Sequence, residues 1–414
     1  MALGDRNMKI NYERLLQDYG RMAVVREGVR PDIGGGESMI KEHLKAKQID
    51  PRNFDFGRLW AAAFGEGNFQ RCRADRDYGA VRVMEGAGPV TTASFQSITK
   101  QIIQTMIMDE YESPEFVFSK LIPRKPSNES FEKMLGVSRM GNAVAIVKEG
   151  QKYPVAGMAE SWQNLAETVL RGFMVQLTRQ IIFFDKTGLV QQRAKAGARE
   201  LGEDNELRAI DCVIDENTGA KSAALGGHRY HYEGSSIATY GNNSGSHSWD
   251  NLAGTNALVD WTDLDAADQL LAAMTDPKTS QIINIGPAKH LVCGRGLKMT
   301  ALRNRNATEI TVVTPGYATS GNPTETKVAN PWGNQFEVVT NGFVESRLAT
   351  DTHWFWGDIT RAFAYVENWA PAVSFLGSGT QLEFEQEIIE QYKFNEYGNY
   401  TTVEPRAIVQ CTVA

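Results

Sequence analysis

The period of apolar and polar positions changes several times along this chain, and each change marks a predicted element. Ile10, Leu15, Leu16 and Tyr19 recur at helical spacing within residues 8–24, and a second helical stretch is predicted over 93–110. Between them the chain is polar and broken by glycine, with Gly34, Gly35 and Gly36 in a run and Gly65 and Gly67 further on. That intervening stretch reads as an extended arm. Such an arm has too little clustered apolar surface to build a core, so its order has to come from lying on something larger, such as a neighbouring subunit.

From Glu115 to Gln176 the pattern becomes β-rich. Val144 and Ile146 alternate with polar residues, a polar turn follows at Glu149, Gly150 and Gln151, and a second extended segment starts at Tyr153. This predicts a long hairpin with much polar surface, which is marginal alone in water and is expected to rest on another chain. The next segment predicts a long helix. Thr178 is the expected N-cap, and Phe183, Thr187, Val190, Ala194, Gly197 and Leu201 form one stripe at steps of three and four. Ala194, Gly197 and Ala198 keep that stripe small, so another element can approach closely. Gly202, Glu203, Asp204 and Asn205 are the expected stop.

Residues 216–256 are rich in Gly, Ser, Asn and His and read as a long loop. Thr262 then caps a predicted helix carrying Leu264, Leu270, Leu271 and Met274, ended by Asp276 and Pro277. A strand at QIINIG, a helix from Leu297 to Arg303 and a strand at TEITVV follow, which suggests a separate α/β domain. The C-terminal part is predicted as strands: QFEVVTNGFV, WFWGDITRAFAYVENWAPAVSFL, and a long period-2 segment. In the last, Leu382, Phe384, Ile388, Tyr392 and Phe394 share one face while Glu383, Glu385, Glu387, Gln391 and Lys393 take the other. Gly398 is the expected end of that strand, and Ala407, Ile408 and Val409 form a closing one. The apolar face needs cover, and the long helix after Thr178 is the expected cover.

Composition narrows the function more by exclusion than by indication. A chain of 414 residues with 42% hydrophobic residues can bury one full core or more. Cys72, Cys212, Cys293 and Cys411 are scattered without a C-x-x-C pair, which argues against a disulfide framework or a structural zinc site and for synthesis in a reducing cytoplasm. The N-terminus lacks the pattern of a signal peptide, and no window approaches the length of apolar run that a membrane span needs. A net charge of −7 provides no overall basic field, so contact with DNA is expected to be weak and non-specific.

Candidate chemistry is sparse. His228 and His231 stand three apart with His247 and Asp250 nearby, and a metal-dependent hydrolase built on His228, His231 and Asp250 is the reading this would support. Their glycine-rich, polar surroundings favour a solvated loop instead. There is no G-x-S-x-G elbow and no phosphate-binding P-loop, and the Gly34–Gly36 run lacks the strand and third glycine of a dinucleotide fingerprint. Glu383, Glu385, Glu387 and Glu390 read as a solvated face or an intersubunit charge ladder, and Trp354, Trp356, Phe363 and Tyr365 as core or interface aromatics. The expectation is a non-enzyme without cofactor or metal.

Three segments carry a family resemblance. RGFMVQLTRQIIFFDKTGLVQQRAKAGARELGEDNELRAID resembles the passage from the extended loop into the long spine helix of tailed-bacteriophage major capsid proteins, whose fold is named after the Hong Kong 97 phage. GPAKHLVCGRGLKMTALRN is similar to that family's axial domain, and the run from DTHWFWGDITRAFAYVENW through QLEFEQEIIEQYKFNEYGNYTTVEPRAIVQC to its peripheral-domain sheet. The resemblance implies an α+β fold with an N-terminal arm at 1–114, an extended β-hairpin loop at 115–176, a peripheral domain at 177–215 and 351–414 with spine helix and antiparallel sheet, and an axial α/β domain at 216–350. It implies self-assembly into hexamers and pentamers of an icosahedral head around double-stranded DNA, with scaffolding, portal and cement or decoration proteins as further partners. Lys148, Lys152 and Tyr153 in the loop and Glu383, Glu385 and Glu387 on the strand are the expected inter-subunit contacts. An encapsulin-type bacterial compartment shares the fold and differs in its contents.

Overall fold

The computed structural model describes residues 101–137, 147, 149, 151–152, 160–178, 189–215, 230–242, 249–276, 278–314, 324–376 and 388–413. Helix and sheet are mixed throughout, as expected. The chain divides into two units, one of Met1–Ser113, Arg171–Gly202 and Pro371–Glu396, the other of Pro114–Leu170, Glu203–Ala370 and Tyr397–Ala414. The predicted helix over 8–24 lies outside the described residues.

In the first unit, helix α1 (101–111) places Ile103, Ile107 and Tyr111 on one stripe at steps of four. These join Ala194, Ala198 and Leu201 of helix α3 (Leu189–Ile214) and Tyr392 and Phe394 of strand β14 (Ile388–Thr402) in one buried cluster. The period-2 reading of that strand holds over its described part: Ile388, Tyr392 and Phe394 are buried and Lys393 is exposed. Phe173 and Val175 of β4 (Val169–Thr178) and Val373 of β13 (Phe363–Leu376) pack on the same cluster. The long helix thus supplies small side chains to the same core as the aromatic strand, as expected.

The ends of that helix differ from the sequence reading. Thr178 is the last residue of β4, not a helix cap. Gly202 to Asn205 do not stop the helix, which runs on to Ile214. A glycine inside a helix costs about 1 kcal/mol, and the burial of Ala209, Ile210, Cys212, Val213 and Ile214 in the second unit's core outweighs it.

The second unit is built on a five-stranded sheet in the order β11 (Glu337–Val339), β8 (His290–Cys293), β12 (Trp354–Gly357), β15 (Ile408–Cys411), β7 (Leu252–Ala253). Every residue of β8, β12 and β15 is buried, so both faces are covered, which is why HLVC, WFWG and IVQC read as short, mostly apolar runs and not as alternation. Trp354 pairs with Cys293 on one side and Cys411 on the other. Helix α4 (Trp261–Ala272) packs on β12 and β15, and helix α5 (Arg295–Asn306) on β8 and β11. A second sheet has the order β1 (Arg124–Pro126), β13, β14, β4, and a third β2 (Lys133–Val137), β3 (Glu160–Asn164), β5 (Tyr230–Tyr232), β6 (Ser235–Ile237). Strands β9 (Glu309–Thr314) and β10 (Thr324–Ala329) form a hairpin.

Several local expectations are corrected here. Asp260, not Thr262, caps α4, in a reciprocal box with Asp263, and the helix ends at Ala272, before Asp276 and Pro277. The aspartate accepts both the backbone and hydroxyl hydrogens of Thr262, two residues on. QIINIG forms no strand, only an isolated bridge between Thr275 and Ile282. The stretch 216–256 is not all loop, because β5, β6 and β7 fall within it. Gly398 does not end β14. It lies inside the strand because the Tyr365 ring crosses where a Cβ would stand, 2.6 Å from its Cζ.

Candidate interaction surfaces

The hairpin is real at its base. β2 and β3 pair antiparallel from Lys133 opposite Asn164 to Val137 opposite Glu160. Most of 138–159 lies outside the described residues, and with it Val144, Ile146, Lys148, Gly150 and Tyr153. Lys152 is described and exposed. β3 also pairs antiparallel with β5, where His231 stands opposite Asn164, and β5 turns into β6 through Glu233 and Gly234, both at positive φ (47° and 84°). That two-residue turn matches the right-handed twist of the strands it joins, and glycine makes its second position cheap. On this sheet the Lys133 ammonium lies 3.8 Å from the centroid of the Trp162 ring.

Glu206 of α3 ties the base of the hairpin down. Its carboxylate accepts the backbone N–H groups of Val117, Phe118 and Ser119, each at 2.9 Å, and the Asn341 side-chain amide at 2.9 Å. The donors on 117–119 open the one-turn helix α2 (Phe118–Leu121), so a fully buried carboxylate serves as its cap from a distant segment. Gln163 of β3 donates to the Thr402 carbonyl at 2.7 Å, and Asn368 to the carbonyls of Ser127 and Glu129. The segments flanking the hairpin base are therefore held by polar contacts, while part of the described surface beside them is open.

That open surface is partly apolar. Phe131 is 52% exposed, Leu135 of β2 76%, and Trp369 of β13 61%, its ring 5.4 Å from that of Tyr397. Val169 and Leu170, at the start of β4, are exposed as well. Val259, Ile282 and Met299 are exposed elsewhere in the second unit, and Met174 and Leu376 in the first.

The titratable groups serve structure. Asp358 caps the one-turn helix α6 (Ile359–Ala362) through Thr360 and pairs with Lys289 at 2.6 Å. Burial alone would raise its pKa, but the hydrogen bonds from Lys289 and Thr360 and the nearby positive charge hold it below the usual carboxylate value. His290 is buried beside it, and its Nδ1 accepts the Ile359 N–H at 3.3 Å. Burial foremost pushes its pKa down, against the pull of Asp358 and Glu337. Burial also raises the Cys293 and Cys411 thiols to about 12, which leaves them protonated and unreactive.

The described residues include only part of the histidine constellation. His228 and His247 lie outside the described residues, His231 is a paired strand residue, and Asp250 is exposed and bridged to Asn242. Among the described residues no group of three or more His, Cys, Asp or Glu could hold a metal ion. Glu383, Glu385 and Glu387 also lie outside them. No described helix is long and apolar enough to cross a membrane. The sequence reading passed over Glu206, Trp369 and Met299. Nothing local singles out Glu206 among Glu203, Asp204 and Asp211, or marks the exposure of the other two.

A family model described as phage capsid protein matches residues 165–411, more than half of the chain. No curated protein sequence matches. Among solved structures, the virus-like particle from Pyrococcus furiosus is similar at 10% identity over 75% of this chain and 98% of that one, with a TM-score of 0.41. The cyanophage Pam1 capsid is similar at 10% identity over 70% and 87%, with a TM-score of 0.42. The structure titled Mycobacterium phage Ogopogo is similar at 11% identity over 71% and 91%, with a TM-score of 0.38.

Proposed function

We propose, from the premise that this chain belongs to the phage capsid protein family, that it is the major capsid protein of a tailed phage. Its copies assemble into hexamers and pentamers of an icosahedral head of the Hong Kong 97 type around double-stranded DNA. The observation that carries this reading is the family match, which runs from the end of β3 through β15 and so takes in both the long helix and the closing sheet. The exposed Phe131, Leu135 and Trp369 support it, because such groups cost little in a subunit whose surface is covered by its neighbours.

In this reading the N-terminal arm (1–114) and the extended loop (115–176) overlap adjacent subunits. The spine helix and C-terminal strands (177–215 and 351–414) form the peripheral domain, and 216–350 the axial domain. Lys148, Lys152, Tyr153, Glu383, Glu385 and Glu387 are contacts between subunits. The protein is a structural subunit and not an enzyme, made in the host cytoplasm, with scaffolding, portal and cement proteins as its other partners. Many small contacts repeated by symmetry then supply stability that no single contact has.

Negative-stain electron microscopy of the chain expressed alone and with its genomic neighbours tests this. Closed particles or capsomer-sized rings are expected. A uniform monomer or dimer under both conditions would overturn the reading, and shells filled with a protein cargo and no DNA would make it an encapsulin-type compartment.

A further inference from the structure

Two helices of the second unit, α4 and α5, carry opposite charge. α4 with its cap bears Asp260, Asp263, Asp265 and Asp268 and no Lys or Arg. α5 bears Arg295, Lys298, Arg303 and Arg305 and no Asp or Glu. None of these eight groups has an ion-pair partner among the described residues. Within the chain Asp265 accepts from Gln269 and Asp268 from the Trp356 indole. Glu345 accepts the Gly296 amide at 2.8 Å but pairs with neither Arg295 nor Lys298.

Helix dipoles account for half of this pattern only. Asp260 and Asp263 at the start of α4, and Arg303 and Arg305 at the end of α5, sit where the dipole favours them. Arg295 and Lys298 occupy the positive end of α5, where it disfavours cations, and Asp265 and Asp268 lie beyond the first turn of α4. Each patch also presents an exposed apolar side chain, Val259 beside the acids at 61% and Met299 among the cations at 74%. The two patches ride on different parts of one sheet, α4 over β12 and β15 and α5 over β8 and β11.

A closed cyclic assembly joins unlike surfaces, head to tail, so each subunit has to carry both halves of the contact. We infer that the acidic α4 face of one copy docks on the basic α5 face of the next copy within a capsomer. This rests on the capsid reading and names the surfaces that make its intra-capsomer contact. The occupant of each face is a second copy of this chain, chosen by charge complementarity, with Val259 and Met299 as the apolar contacts within a polar rim.

The test uses charge reversal in the full-length chain. Asp265→Lys and Lys298→Glu, each alone, are expected to raise the concentration needed for half-assembly about tenfold or more, since like charges then face each other. The two together restore assembly toward the wild-type value, which mere damage to folding would not do. Circular dichroism and the melting temperature of each unassembled variant verify that the helices persist. Unchanged assembly in both single variants, or no recovery in the double variant, overturns the inference while wild-type shells keep the capsid reading intact. Loss of packaged DNA with normal assembly in Lys298→Glu would place α5 against the genome and also overturn it. A wild-type chain that never assembles removes both.

Discussion

At Gly197 of α3 a Cβ would come within 2.8 Å of the Phe173 ring, which itself stacks on Phe394 at 5.7 Å. The glycine is there to let an aromatic strand lie against the helix. Gly197→Leu is expected to destabilise the folded chain by about 1–3 kcal/mol, because the ring has to leave its place in the core. A thermal melt checks this, and a variant with an unchanged midpoint would mean that Phe173 does not need that space. His290 provides a different test. Its folded pKa lies below the ordinary 6.5, so the unfolded chain binds the extra proton first as pH falls. The stability tied to the neutral ring is complete above that value and is lost as pH drops through the folded pKa. Denaturation midpoints are expected to fall between about pH 7.5 and about pH 5.5, and less so in His290→Gln. Equal pH dependence in the two proteins would assign the effect to other groups.

Between elements, Glu206 is a densely connected polar group. Four N–H donors converge on its carboxylate, three of them from the backbone that opens α2. Removing it would strand those donors in a buried place, at roughly 1–3 kcal/mol for each left unsatisfied. Glu206→Ala is therefore expected to cost more than Gly197→Leu, and to speed hydrogen exchange at the amides of Val117, Phe118 and Ser119 before the rest of the unit. Protection at those amides equal to wild type would show that the carboxylate is not their main partner. The hairpin beyond this anchor carries Phe131 and Leu135 into water, a division between fixed base and open surface that suits an element meant for a neighbour.

For the whole molecule, the family supplies the frame and the chain supplies the parts. A truncation lacking residues 1–90 is expected to stay soluble but to form no stable shells, because that stretch is too polar and glycine-broken to form a core of its own. Normal particles from the truncated chain, seen by electron microscopy, would refute the arm's role. The sequence by itself was enough for whatever depends on local period. The alternation of Ile388, Tyr392 and Phe394, the small stripe Ala194 to Ala198, and the buried segments WFWG and Ala407, Ile408 and Val409 all declare which face or segment is inside, since apolar burial is paid for residue by residue along an element. Helix ends were not legible in that way: Gly202 to Asn205 looked like a stop, and only the packing of Ala209 to Ile214 carries the helix through them. Nor could the sequence reveal that Glu206 caps amides 87 to 89 residues away, or that α4 and α5 share a sheet with opposite charge. Those depend on which distant groups meet, and the tertiary structure alone decides that, because a buried polar group or an unpaired charge acquires its meaning from its surroundings and not from its neighbours in the chain.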